Sequence, residues 1–427
     1  MRKLFPIDKK TFEVDKVSKK TKYIIIGLYP LSLIIFGLFM DPINNIIIGI
    51  KQIIIEPDLL ITDYIGVGGL GAAFVNSGLI TLIFLFILYR LDIELYGTAI
   101  AALFTITGFG FFGKNLFNVW FVVMGVFLYS IVQKESFSRY IYIALFGTAL
   151  APLVSELLFN SGQPLYIKVP IAITIGLITG FILPPLSTFL IRVHDGFSLY
   201  NVGLTAGLIG TVFISFFRSL GMVPQQRMIW TTGNNLILAI FLFFIFITMI
   251  FLGFIFNNKS FNGAKNIMAY PGRIVTDFVL IQGFFPTLIN MGISGIISIL
   301  YILLVKGDIN GPTMAGIFTI VGFSAFGKHL KNILPIFLGV YLGSFISIRP
   351  INDPYLLLAA LFGTTLAPIA GEFGWHFGAL AGFLHSSLVI NLSILHGGVN
   401  LYNNGFSGGL VAAFLVPIIQ AFRKEDN

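Results

Sequence analysis

Phe104-Thr105-Ile106-Thr107-Gly108-Phe109-Gly110-Phe111-Phe112-Gly113-Lys114-Asn115-Leu116-Phe117-Asn118 is written twice in this chain. It returns as Phe318-Thr319-Ile320-Val321-Gly322-Phe323-Ser324-Ala325-Phe326-Gly327-Lys328-His329-Leu330-Lys331-Asn332, with ten of its fifteen positions identical. The copies stand 214 residues apart, and that offset runs without a gap from 61–128 against 275–342. Shared hydrophobicity does not hold a register over such a length, so the chain reads as two homologous halves.

Further along, Leu145-Phe146-Gly147-Thr148, Leu150-Ala151-Pro152 and Glu156 reappear as Leu361-Phe362-Gly363-Thr364, Leu366-Ala367-Pro368 and Glu372, now at an offset of 216. His194, Leu199-Tyr200-Asn201, Gly203 and Gly207 are matched by His396, Leu401-Tyr402-Asn403, Gly405 and Gly409, at an offset of 202. The second half therefore lacks about fourteen residues (216 − 202) between its glutamate and its histidine. Both Gly203/Gly207 and Gly405/Gly409 have the small-xxx-small spacing that lets helices approach closely.

What surrounds the repeats is apolar. The chain is 56% hydrophobic and 10% charged, with a mean hydropathy of +0.94, far from a soluble domain. Apolar runs of about the twenty residues needed to cross a bilayer follow one another with short polar breaks. The fold class expected is an all-α, polytopic transmembrane bundle of two tandem repeats with broken or re-entrant helices, roughly seven or eight hydrophobic segments to each half. The divisions are a basic tail (1–22), a first membrane repeat (23–217), a polar linker (218–234), a second repeat (235–423) and a short tail (424–427). An Ile-rich stretch, 44–55, is too short to span and is expected in the interface or re-entering.

The net charge of +8 is not a nucleic-acid signal. Eight Lys and Arg against three acids in the first 22 residues supply +5 of it (8 − 3). A basic segment before the first span is retained on the cytoplasmic side and is attracted to anionic lipid, so a multi-pass inner-membrane protein with a cytoplasmic N-terminus is expected. The chain has no cysteine, which removes disulfides, thiolate metal sites and cysteine nucleophiles. The partners implied are the lipid bilayer, a small-molecule or ion substrate and, in keeping with many such proteins, further copies in a homo-oligomer.

Candidate site residues come from the repeated motifs. Gly108, Gly113, Gly322 and Gly327 read as helix breaks, and Pro152 and Pro368 break mid-span helices and free carbonyls towards a cavity. Glu156 and Glu372 are intramembrane carboxylates, a class that faces cavities and serves ion or proton paths. Lys114 and Lys328 read either as snorkelling side chains at helix ends or as cations presented to an anionic or dipolar solute. Thr148, Thr364, Asn76, Asn290, Asn118, Asn332, Asn201 and Asn403 complete a polar path, or bridge helices by hydrogen bonds. Asp63 and Asp277 each follow a threonine and precede an apolar run, the pattern of an N-cap at the membrane surface.

Two signals point elsewhere and are set aside. G-x-x-x-x-G-K occurs at Gly108 to Lys114 and Gly322 to Lys328, but a nucleotide loop needs a following Ser or Thr and a preceding strand. Glu372, His376, His385 and His396 suggest a metal, but the aligned first-half positions hold Asn160 and Leu183 in place of His376 and His385. No catalytic set, cofactor or metal is expected.

The two signatures and the repeat together resemble a family of bacterial and archaeal integral membrane proteins known only as a domain of unknown function. That resemblance covers nearly the whole chain and implies no activity. A looser one is to urea transporters, which are built from two homologous halves around a narrow pore. Asn290-Met291-Gly292-Ile293-Ser294-Gly295 looks like their N-N-P-L-S-G segment, and Phe74-Val75-Asn76-Ser77-Gly78 is similar with a deletion. Leu199-Tyr200-Asn201 and Leu401-Tyr402-Asn403 are similar to G-L-Y-G-Y-N. Their L-P-x-x-T-x-P-F box is only partly echoed by Leu183-Pro184-Pro185-Leu186-Ser187-Thr188-Phe189. The resemblance implies a small-solute pore, and the sequence as a whole suggests a transporter, proton-coupled through the glutamates, or a passive channel for a small neutral solute, ahead of a membrane-embedded enzyme or a scaffold.

Overall fold

The computed structural model describes residues 17–58, 61–222, 227–274 and 276–423. The basic tail through residue 16, linker positions 223–226 and the tail 424–427 lie outside the described residues. The first repeat runs α1 (Lys19–Met40), α2 (Ile43–Ile55), α3 (Tyr64–Arg90), α4 (Gly97–Phe109), α5 (Val119–Val132), α6 (Ile141–Gly147), α7 (Ala151–Phe159), α8 (Leu165–Leu190) and α9 (Asn201–Ser219). The second runs α10 (Asn235–Phe256), α11 (Asn262–Ile267), α12 (Phe278–Gln282), α13 (Phe284–Leu304), α14 (Gly311–Phe323), α15 (Leu330–Ser344), α16 (Pro354–Gly363), α17 (Ala367–Phe373), α18 (Trp375–Leu392) and α19 (Asn403–Phe422).

The halves match element for element once one break is recognised. Gly69 inside α3 has φ 87°, and Gly283, between α12 and α13, has φ 89°. α3 is thus the counterpart of α12 plus α13, each bent by a glycine that takes the left-handed region without a Cβ penalty. Among the described residues, nine helical stretches are long and apolar enough to cross a membrane. Their outer faces carry exposed stripes at helical spacing, such as Ile24, Leu28, Leu31, Ile35 and Leu38 on α1, as expected of surfaces turned to lipid.

The repeats run antiparallel to one another. A methyl on Gly108, late in α4, would lie 2.7 Å from the Ala315 carbonyl, early in α14; one on Gly322, late in α14, would lie 3.1 Å from Ala101 Cα, early in α4. These two contacts exchange under the 214-residue offset, the signature of a twofold axis perpendicular to the helices. α1 and α10 repeat the pattern: Phe36, late in α1, meets Phe241, early in α10, at 4.2 Å between ring centroids. Gly108 and Gly322 therefore do not break helices. They lie inside α4 and α14, where the missing side chain permits the close crossing.

The linker is stitched into the fold. Strand β1 (Ile61–Thr62) pairs in parallel with β2 (Met228–Ile229), and Arg227 forms an ion pair with Glu56. Asp63 and Asp277 are N-caps, as their sequence context indicates, accepting from Ile65 N and from Val279 N and Leu280 N. Both are buried within the protein, not at its surface, because each also caps the other half. Asp63 accepts from Gly311 N at 3.1 Å, and Asp277 from Gly97 N at 2.8 Å, so each aspartate serves the first turn of the other repeat's short helix.

Candidate functional site at the repeat interface

Each signature folds as a helix, a tight loop and a second helix, pinned from behind by one asparagine. Asn76 Nδ2 donates to the carbonyls of Gly110 (2.7 Å) and Lys114 (3.0 Å); Asn290 does the same to Ser324 (2.7 Å) and Lys328 (2.8 Å). Inside the loop, Asn118 Oδ1 accepts from Asn115 N and its amide donates to Gly113 O. Asn332 repeats this with His329 N and Gly327 O. The breaks sit at Gly113 (φ 81°) and Gly327 (φ 119°). Four of the expected path asparagines thus hold the loop in shape and satisfy backbone groups that a membrane interior leaves without water.

The loops place two lysines in the middle of the protein. Lys114 and Lys328 are fully buried, so neither snorkels. Lys114 Nζ donates to Tyr402 Oη at 2.7 Å, and Lys328 Nζ donates to Tyr200 Oη and to Thr364 Oγ1 at 2.7 Å. Each lysine crosses to the tyrosine of the other repeat. Each ammonium also lies over two rings, Phe109 and Tyr402 for Lys114, Phe323 and Tyr200 for Lys328. Among the described residues neither lysine has an ion pair.

The Leu-Tyr-Asn segments are delivered by the second motif. In each repeat a single 3-10 turn interrupts the helix before the proline, at Thr148–Leu150 and Thr364–Leu366. Pro152 and Pro368 stand at the second position of the helices that follow, where a missing N–H is harmless. The broken turns do not open carbonyls onto a cavity. Ala149 O accepts from Leu401 N and Thr365 O from Leu199 N, both at 3.0 Å, so they hold the other repeat's segment. Asn201 and Asn403 are clamped in turn by His194 and His396 through their side-chain oxygens and donate to Ser187 O and Val389 O.

A chamber of about 150 Å³ forms where these pieces meet. Its walls come in equivalent pairs: Thr105 and Thr319, Phe109 and Phe323, Phe146 and Phe362, Tyr200 and Tyr402, Gly203 and Gly405. Gly203 and Gly405 touch across the axis, a methyl on the former falling 2.9 Å from Gly405 Cα. A second chamber of about 40 Å³ lies to one side, lined by Phe112, Phe362, Asn400, Leu401, Asn403 and Asn404. Of the sequence candidates, only Asn201 and Asn403 reach these walls, with the lysines directly behind the tyrosines.

Glu156 and Glu372 are not part of this arrangement. Glu156 is buried in α7 and takes both hydrogen bonds of its own helix's Asn160, at 2.9 and 3.1 Å; Glu372 is half-buried near the end of α17. Neither lines a chamber. Among the described residues Thr148 bonds only Leu145 O, while Thr364 bonds the equivalent Leu361 O and also receives Lys328. Sequence reading missed a buried acid altogether. Asp58 Oδ1 accepts from Tyr64, and its Oδ2 accepts from Ser155 (2.9 Å), Asn118 (2.9 Å) and Asn115 (3.4 Å). No repeat pointed to it, since its counterpart is Gly272. Among the described residues no three His, Cys, Asp or Glu side chains converge as metal ligands.

Fold and site define a class, a multi-pass helical membrane protein of two antiparallel tandem repeats with a chamber on their axis. The chain belongs to the family described as "Protein of unknown function (DUF1576)", whose model matches residues 43–219 and 256–421, one region in each repeat. No curated protein and no solved structure matches it, urea transporters included.

Proposed function

We propose that the protein is a transporter that passes a small solute along the interface of its two repeats. The observation that carries this is the chamber whose walls are supplied in equivalent pairs by both halves, beside loops that interrupt helices in each. Duplicated transporters place solute sites at such interfaces, where half-helices present backbone dipoles and the halves rock against one another. With α1 and α10 antiparallel and each long enough to span, the repeats are inverted in the bilayer, and the basic stretch before α1 argues for a cytoplasmic N-terminus in an inner membrane.

A passive channel for a small neutral solute is the second reading. It is favoured by the lining, in which Tyr200 and Tyr402 are, among the described residues, the only ionisable ones facing the main chamber. Both readings meet one assay: the purified protein in liposomes, with solute-driven swelling for urea and other small neutral solutes, and tracer uptake of charged solutes with and without a proton gradient. Saturable uptake above protein-free liposomes is expected; unsaturable swelling would move the assignment to the channel, and no flux of any solute would sink both. Because Glu156 and Glu372 stand off the chamber, the Glu156→Gln, Glu372→Gln double variant is expected to keep flux and its pH dependence. Loss of either would return proton coupling to the glutamates.

A further inference from the structure

The geometry points to a small organic anion as the ligand, its charged head at the Lys-backed hydroxyls of Tyr402 and Tyr200 and its apolar body among the phenylalanines of the main chamber. This rests on reading that chamber as the solute site, and it names the chemistry the site selects.

Three observations converge. The first is charge. Moving an ammonium out of water costs several kcal/mol unless an opposite charge accompanies it, yet this chain buries Lys114 and Lys328, one per repeat, with hydroxyls and aromatic faces as their only partners among the described residues. An anion in the chamber would supply the missing charge to both from one position near the axis.

The second is hydrogen-bonding capacity. A lysine ammonium only donates, so it occupies a lone pair on the phenol and leaves the phenol's proton to donate elsewhere. The Tyr402 proton has no acceptor among the described residues. Asn400 is buried against the smaller chamber, and its Nδ2 has no partner among the described residues. Asn404 lines both chambers, pairing its side-chain oxygen with His385 at 3.0 Å. Its amide nitrogen has no protein acceptor among the described residues. Apart from the Thr105 and Thr319 hydroxyls, whose protons go to Ala101 O and Ala315 O, the uncommitted polar side-chain groups at these walls are donors, which suits an acceptor-rich anion.

The third is size and polarity. Much of the remaining wall is apolar, with Phe109, Phe146, Phe323 and Phe362 its largest rings, and a cavity near 150 Å³ is of the class that holds a benzene ring. An inorganic ion would leave that apolar wall unused.

Benzoate, with benzamide as its neutral isostere, is the direct probe, measured by equilibrium dialysis against the full-length protein in detergent. Saturable benzoate binding is expected, about tenfold or more tighter than benzamide, the size of one hydrogen bond to a charged group. Tyr402→Phe keeps the ring and removes the donor, so it should weaken benzoate by about tenfold and benzamide, whose carbonyl accepts only a neutral hydrogen bond, by less. Lys114→Met and Lys328→Met should do the same; if either fails to fold, Tyr402→Phe and Asn400→Ala carry the test. Equal binding of the two probes, no binding of either, or benzoate binding indifferent to Tyr402→Phe would overturn the inference. Selective benzoate binding without flux in liposomes would instead sink transport alone, and flux of neutral solutes with no benzoate preference would sink this assignment alone.

Discussion

Lys114 and Lys328 occupy the same place in a duplicated signature and reach equivalent tyrosines, yet their surroundings differ. Among the described residues Lys328 has two hydroxyl acceptors, Tyr200 and Thr364, and Lys114 has Tyr402 alone. Behind the first loop, Asn115 and Asn118 connect to Asp58, Ser155 and Tyr64. The same positions of the second repeat hold Gly272, Phe278 and Gly371, and His329 takes Tyr270 O instead. Symmetry is kept where residues meet on the axis and lost one layer out. The axis contacts constrain both copies at once, because each residue there touches the equivalent region of its twin, whereas the outer layer answers only to its own repeat.

The largest break in that comparison should come at Asp58. Asp58→Ala leaves the buried hydroxyls of Tyr64 and Ser155 without their acceptor, while Asn118 keeps Gly113 O, and at about 1–3 kcal/mol for each unsatisfied group should cost about 4 kcal/mol in all. Thermal unfolding in detergent would read it, with Gly272→Asp providing no compensation in the other half. A loss under about 1 kcal/mol would show that the acid does not organise the first repeat.

The signature glycines sharpen the comparison next. A methyl on Gly327 would lie 2.5 Å from the Gly272 carbonyl, a backbone atom, while one on Gly113 would meet the far end of the Leu401 side chain at 2.3 Å. Both positions have positive φ, so both substitutions to alanine carry strain of about 1–2 kcal/mol. Gly327→Ala should lose about 3 kcal/mol and Gly113→Ala about half that, since only Leu401 can move aside. The reverse order in unfolding temperatures would mean the first loop is the more rigid one.

The smallest effect separates the threonines. Thr364→Val removes an acceptor from a buried ammonium and should destabilise by about 1.5 kcal/mol. Thr148→Val, which loses only a bond within its own helix, should stay within about 0.5 kcal/mol. Equal shifts in the two melting curves would show that Thr364 gives Lys328 nothing.

Much of this could be read along the chain. Asp63 and Asp277 announced themselves as caps, Gly113 and Gly327 as breaks, and Pro152 and Pro368 as interruptions, because each acts through its own turn of backbone. Asn76 and Asn290 were visible as a pair, but not as the pins of a loop far along the chain. Gly108 and Gly322 were misread as breaks because a glycine that loosens a helix and one that lets two helices touch look alike until the neighbour is known. The glutamates drew attention as rare charges, while Asp58, preceded by Glu56-Pro57 in what reads as a loop, drew none.

By itself the sequence determined that the chain is a membrane protein, that it is duplicated and where its helices are interrupted, since hydropathy, repetition and backbone chemistry are local properties. Only the tertiary structure decided that the repeats run antiparallel and that each lysine serves the other half's tyrosine. It also decided which side-chain amides and phenols at the chamber keep a free donor. Those facts rest on contacts between residues 288 and 128 positions apart, and no local pattern encodes which of two identical motifs a distant side chain will meet.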